Sequence, residues 1–185
     1  MQICVYLSAS IDAPRPFFDE ARAVGRRIGR GGHGLVYGGG NVGTMNEVAL
    51  GAKEAGANVV SVIPTFFHQD DLTFSDSDEV ILTEDLQERR RIMIERSDAA
   101  IALPGGFGTM EEVAEFLTAR QLGFHHKPLV LVDIDGFWSG YRAQIDRMRS
   151  ERMIHEDHRD LILVAESGEE AVGMIERALG AEGER

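Results

Sequence analysis

Residues 102–113, ALPGGFGTMEEV, place two adjacent carboxylates, Glu111 and Glu112, directly after a run of glycines at the end of an apolar segment. Glycines there let the backbone approach an anion, and the free amides and dipole of a following helix favour negative charge. A carboxylate beside such an anion is placed for acid–base work or for stabilising developing positive charge. The same residues also read as a plain turn, in which Thr109 and Glu112 form a capping box and Glu111 faces water. A second stretch, EDLQERRRIMIERSD at 84–98, bears on the choice. Helical spacing there makes Leu86, Arg89, Ile92 and Met93 neighbours, which turns Arg89 toward the protein and leaves Arg90 at the border of that face. An inward arginine calls for an anionic partner, either a phosphate or a carboxylate such as Glu112. The alternative is a solvated face, with the arginine stem lying over apolar surface.

The elements that must position these residues follow from periodicity. Short apolar runs at 3–7, 34–37, 58–63, 79–82, 99–103, 128–132 and 161–164 are mostly continuous, as in strands covered on both faces. Segments with helical spacing lie between them, at about 16–30, 44–56, 84–97, 109–122, 138–151 and 168–179. This alternation predicts an α/β fold: a Rossmann-like, doubly wound, mainly parallel sheet with helices on both faces. One domain is expected over 1–180, with a disordered tail at 181–185. The irregular stretch 64–79 reads as a surface loop or short helix.

Two helix starts share their punctuation: GTMNEVA at 43–49 and GTMEEVA at 108–114 differ at one position, and both follow a strand and glycines. Thr44 with Glu47 fits a capping box as Thr109 with Glu112 does, and so does SGEE at 167–170, so the pattern alone implies no function. GGGNVG at 38–43 matches G-x-G-x-x-G through Gly38, Gly40 and Gly43. The next strand ends SVIPTF without the acid that would hold a ribose, which argues against a standard dinucleotide site. Neither glycine loop is followed by the Gly-Lys-Ser/Thr of a P-loop, and no G-x-S-x-G nucleophile elbow occurs. Both loops follow strand carboxyl ends, so they are expected at one sheet edge, where two helix N-termini would form a single anion-binding crevice.

Composition narrows the partners. The chain has 185 residues, enough for one packed domain, and a formal net charge of −12 that disfavours nucleic acid or an anionic membrane as partner. Cys4, the only cysteine, sits in the apolar run ICVYL, which reads as a buried thiol in a reducing cytoplasm. No signal-peptide pattern opens the chain, and no apolar run approaches the roughly 20 residues of a membrane span. His125 with His126 and His155 with His158 lack the further ligands of a metal site.

Together, YGGGNVG, ERR at 88–90, LPGGFGTMEE and QLGFHHKP resemble, in order and spacing, the Lonely-guy phosphoribohydrolases of the lysine-decarboxylase-like superfamily. The family pattern P-G-G-x-G-T-x-x-E falls on Pro104, Gly105, Gly106, Gly108, Thr109 and Glu112, and its basic pair on Arg89 and Arg90. The resemblance spans about residues 3–150. It implies a homodimer that cleaves the N-glycosidic bond of a nucleoside 5′-monophosphate, cytokinin ribotides included, with no metal or redox cofactor. Carried over by position, it implies Arg89 and Glu112 as the catalytic pair. It further implies Ser8 and the Gly105–Thr109 backbone around the phosphate, Gly39, Gly40, Gly43 and Thr44 on the sugar side, and Arg90 among the substrate-binding residues. A non-enzymatic carrier or sensor of a phosphorylated ligand, such as a nucleotide or molybdenum cofactor, is the alternative. The chain departs from the family at Thr44, Asn46, Leu86, Gln87 and Arg90, and most of all at 64–79, where the base is expected.

Overall fold

The computed structural model describes residues 1–155 and 161–182. Each of the seven apolar runs forms a strand: β1 Gln2–Tyr6, β2 Gly34–Tyr37, β3 Val59–Pro64, β4 Glu79–Thr83, β5 Ala99–Ala102, β6 Leu129–Val132 and β7 Leu163–Ala165. The helices between them are α1 Arg15–Arg30, α2 Gly43–Glu54, α3 Thr65–Gln69, α4 Leu86–Glu95, α5 Phe107–Gln121, α6 Ser139–Ser150 and α7 Gly168–Glu182. The short α3 occupies the stretch read as loop or short helix. A 3-10 turn at Ile134–Gly136 has no counterpart in the sequence reading, because three residues carry no period. α7 continues to Glu182, past the expected end at 179; residues 183–185 of the expected tail, and His158, lie outside the described residues.

Among the described residues the sheet is entirely parallel, in the order β4-β3-β2-β1-β5-β6-β7. β1 explains why its run is continuously apolar. Ile3 and Val5 enter one core with Val24 of α1, Val48 of α2 and Val172 of α7, while Cys4 and Tyr6 enter a second with Met93 of α4 and Phe116 of α5. The chain leaves β1 toward β2 on one side and reaches β5 on the other, so the winding reverses at β1. The carboxyl ends of β1, β2 and β5 therefore flank one crevice.

Packing of α1 on α2 sets the height of the glycine loop that opens α2. A Cβ added to Gly25 would collide with the Val48 carbonyl and the Ala52 amide, and one at Gly51 with the Arg22 carbonyl. The two helix backbones thus touch where neither carries a side chain, and Arg22 binds Glu47 and Glu54 beside that contact. Gly25→Ala is expected to destabilise the fold by about 1–3 kcal/mol through overpacking, against a helix-propensity gain of about 1 kcal/mol. Urea unfolding measures this, and an unchanged or raised midpoint would refute the close-contact account.

Candidate functional site

A cavity of about 400 Å3 lies at the carboxyl ends of β1, β2, β3 and β5. Its position follows from two threonines. Thr109 Oγ1 donates to the Leu7 carbonyl at 3.1 Å, and Thr44 Oγ1 donates to the Ser8 carbonyl at 2.9 Å while accepting the Ser8 amide at 3.0 Å. The near-identical helix starts on opposite faces of the sheet are thereby fastened to the same two residues following β1. Both capping boxes expected at these starts are absent. α2 begins after Val42 and α5 after Gly106, neither with a side-chain cap, because each threonine lies inside the first turn and is committed to the β1 end. Glu47 turns instead to Arg22. Of the expected boxes, Ser167 does accept the Glu170 amide. A cap that the reading missed opens α4, where Asp85 accepts the Glu88 amide at 2.8 Å.

The uncapped start of α5 leaves its first-turn amides without helical acceptors, facing a cavity wall made by Gly106, Gly108 and Thr109. Ser8 lines the same end, and its hydroxyl accepts the Ser10 amide at 3.0 Å, which leaves the hydroxyl hydrogen for a donor role. Gly105 stands behind this wall, where a Cβ would strike the Thr109 side chain.

Glu112 and Arg89 both line the cavity, so the structure brings together the two side chains singled out in the sequence. Arg89 points inward as expected, yet its anchors are carbonyls rather than a carboxylate. Nε donates to Val62 O at 3.0 Å and Nη2 to Gly38 O at 2.7 Å. Gly38 is needed for that approach, since a Cβ there would overlap the guanidinium. Burial works against the Arg89 charge and the nearby Glu112 supports it. Glu112 is 9% exposed. Burial pushes its carboxyl up to about 7, and this outweighs the opposing pull of Arg89 and Arg90. Beneath it, burial raises the Cys4 thiol and the Tyr6 hydroxyl, with Glu112 adding to both shifts.

Other expected residues take supporting places. Arg90 pairs with Glu111 at 3.1 Å and with Glu115, tying α4 to α5 outside the cavity. Gly40 lines the cavity, whereas Gly39, Gly43 and Thr44 build the turn behind it; Gly43 adopts φ +61° hard against Ala9. The sequence reading missed the carbonyls of Gly38 and Val62, which carry no side-chain signal. It also missed the apolar lining by Met45, Ile63, Phe67 and Leu72, which looked like ordinary core or loop. Among the described residues no cluster of three His, Cys, Asp or Glu side chains could hold a metal, and no helix is long and apolar enough to cross a membrane.

The chain matches the family described as possible lysine decarboxylase over residues 45–175. It is 37% identical over 175 residues to the cytokinin riboside 5′-monophosphate phosphoribohydrolase LOG of Oryza sativa subsp. japonica, covering 95% of this chain and 72% of that one. It is 35% identical to a cytokinin riboside 5′-monophosphate phosphoribohydrolase of Arabidopsis thaliana, covering 95% and 81%. Among solved structures, the molybdenum cofactor carrier protein of Chlamydomonas reinhardtii superposes with a TM-score of 0.75 at 27% identity, over 97% of this chain and 98% of that one. The molybdenum cofactor binding protein of Rippkaea orientalis gives 0.74 at 26% identity, over 96% of each chain. By the span of the family match and the identity to these relatives, the chain belongs to the possible lysine decarboxylase family and, within it, to the Lonely-guy phosphoribohydrolases.

Proposed function

We propose that the protein hydrolyses the N-glycosidic bond of a nucleoside 5′-monophosphate, releasing the free base and ribose 5-phosphate. The observation that carries this reading is Glu112, a buried carboxyl at about pKa 7 on the wall of a crevice that also holds uncapped helix amides and an inward arginine. The phosphate rests on the amides of Gly106, Gly108 and Thr109 with the Ser8 hydroxyl, which orients the sugar over Glu112 and Arg89. As the bond from C1′ to the base nitrogen breaks, its electron pair leaves with the base and positive charge develops on the ribose. Ionised Glu112 stabilises that charge and takes a proton from the water whose oxygen bonds to C1′; a proton is delivered to the departing base nitrogen by solvent, and Glu112 returns its own to solvent, so one water is consumed and the carboxylate is restored. Arg89, held by two carbonyls, supports the ionised form of Glu112.

The relatives named as cytokinin riboside 5′-monophosphate phosphoribohydrolases favour this reading. The molybdenum cofactor carriers favour a second one, non-enzymatic carriage of a phosphorylated ligand. The perturbed Glu112 has work to do in the first and none in the second. We also propose a cytoplasmic homodimer without metal or redox cofactor. Met110, Leu122 and Phe124 lie exposed on α5 and the loop after it, and Cys4 is a buried free thiol.

A panel of nucleoside 5′-monophosphates with product identification tests the reaction: base and ribose 5-phosphate appear together, and tight binding without either product would favour the carrier. Glu112→Gln is expected to lower kcat by about 100-fold or more. The wild-type kcat/KM, which reports the free protein, rises with pH through about 7 as Glu112 ionises. Stability moves the other way. A carboxyl raised from 4.5 to about 7 on folding costs nothing below 4.5 and increasingly more as pH rises, reaching on the order of 3 kcal/mol above 7. Glu112→Gln therefore melts several degrees above wild type at pH 8 and close to it at pH 4.5; an equal shift at both would contradict the burial cost. Light scattering is expected to give twice the 20.4 kDa chain mass, and a monomer overturns the dimer.

A further inference from the structure

We infer that Tyr37, acting with Ser61 and Ser77, is a positioning residue for Arg89: three linked hydroxyls fix the Gly38–Gly40 loop from one face of the sheet while the guanidinium grips it from the other. Its effect on turnover rests on the hydrolysis proposed above, whereas its hold on Arg89 does not. Arg89 belongs to α4, which sends Met93 into one core, and Tyr37 points into the other. The two meet at the glycine loop, where Arg89 Nη2 donates to Gly38 O at 2.7 Å and the Tyr37 hydroxyl reaches Gly40 O at 3.4 Å.

The hydroxyl chain starts in the sheet register. Tyr37, the last residue of β2, stands beside Ser61 of β3, so both side chains project from the same face, and their hydroxyls are hydrogen-bonded. Ser61 Oγ meets Ser77 Oγ at 2.6 Å, and Ser77 Oγ donates to Phe74 O at 2.9 Å. A hydroxyl has one hydrogen to give. Ser77 gives its own to Phe74 O, so Ser61 donates to Ser77, and Tyr37 divides its hydrogen between Ser61 and Gly40 O. Phe74 closes the circuit, its amide donating to Gly39 O at 2.9 Å. The loop lies directly on this chain: Gly39 has φ +76°, and a Cβ there would stand 3.0 Å from Ile63 Cβ and 3.2 Å from Ser61 Cβ.

Packing alone does not call for these hydroxyls. Tyr37 and Ser61 are fully buried, and Phe and Ala would fill nearly the same space without desolvating an O–H group. What the hydroxyls add is direction. Gly38, Gly39 and Gly40 offer three successive carbonyls, and Arg89, the Phe74 amide and Tyr37 each take one, which keeps Gly38 O facing α4. With the chain cut, the loop shifts and Arg89 Nη2 loses its acceptor. A buried N–H left unmade is costly, so the guanidinium turns to Glu112, the anion that already supports its charge. A closer cation then lowers the Glu112 carboxyl. The other titratable groups around Glu112 are Arg90 of α4, Glu111 and Glu115 of α5, and Cys4 and Tyr6 of β1, and the substitutions below alter none of them.

Tyr37→Phe tests this in two ways. In the free protein, the gain in melting temperature that Glu112→Gln gives at pH 8 is measured with and without Tyr37→Phe. It is expected to shrink by about half, because a carboxyl with a lower folded pKa costs less to ionise on folding. In turnover, the acid limb of kcat/KM for AMP moves down from about pH 7 by about one unit. Ribose 5-phosphate binding, read by calorimetry, stays within about twofold, since the anion end is fastened at Leu7 and Ser8 rather than at this loop. Ser77→Ala reproduces both shifts should Tyr37→Phe fail to fold, and Ser77→Thr, which keeps the hydroxyl, leaves both at their wild-type values. An unchanged melting gain and an unchanged acid limb overturn the assignment, as does loss of ribose 5-phosphate binding in step with turnover. Should the wild-type protein release no base, the hydrolase reading falls, and the melting comparison alone decides the hold on Arg89.

Discussion

Everything at the crevice depends on where β1 ends. Leu7 and Ser8 receive the hydroxyls of Thr109 and Thr44, so one short piece of backbone sets the height of two helix starts on opposite faces of the sheet. This arrangement gives the repeated GTM-x-EVA segments a physical reason. Two chemically equivalent approaches to one strand end call for the same small residue, the same β-branched hydroxyl and the same apolar follow-on. Because the threonines are spent on this fastening, neither caps its helix, and the first-turn amides of α5 are left without a side-chain acceptor.

The charged pair shows a trade between stability and chemistry. A fully hydrated carboxylate is ionised near neutrality but only weakly basic, and a salt-bridged one is weaker still. Glu112 avoids both states because the arginine beside it is already satisfied by the carbonyls of Gly38 and Val62, while burial raises the carboxyl. Arg90, one residue along, has the opposite arrangement: it is consumed by Glu111 and Glu115 and serves to hold α4 against α5. Adjacent arginines of the same helix thus take different roles according to what the neighbouring helix presents to each.

The fold was legible because burial on both faces writes continuous apolar runs, as in ICVYL, and helical period writes the rest. Arg89 and Glu112 were legible from helical phase and from the glycine turn. The partners of Arg89 were not, because a backbone carbonyl has no letter in a sequence. The capping boxes misled for a related reason: spacing alone cannot tell a threonine that closes its own helix from one that reaches to another strand. Segment 64–79 hid its place because Phe67 and Leu72, in a stretch rich in Asp and Ser, look like scattered surface residues, whereas Asn41 holds Leu72 O and Gly39 O holds the Phe74 amide beside the cavity that both side chains line.

The carbonyl-held guanidinium has a consequence for how a ligand arrives. The chain as a whole carries a formal charge of −12, so a phosphate monoester is repelled at long range and attracted only once Arg89 and the α5 amides lie within a Debye length, about 8 Å at physiological ionic strength. Added salt therefore screens the repulsive approach more than the sheltered contacts that hold the anion. On the proposed reading, capture of a phosphate monoester is expected to quicken with ionic strength, the reverse of proteins that gather nucleotides with a basic surface.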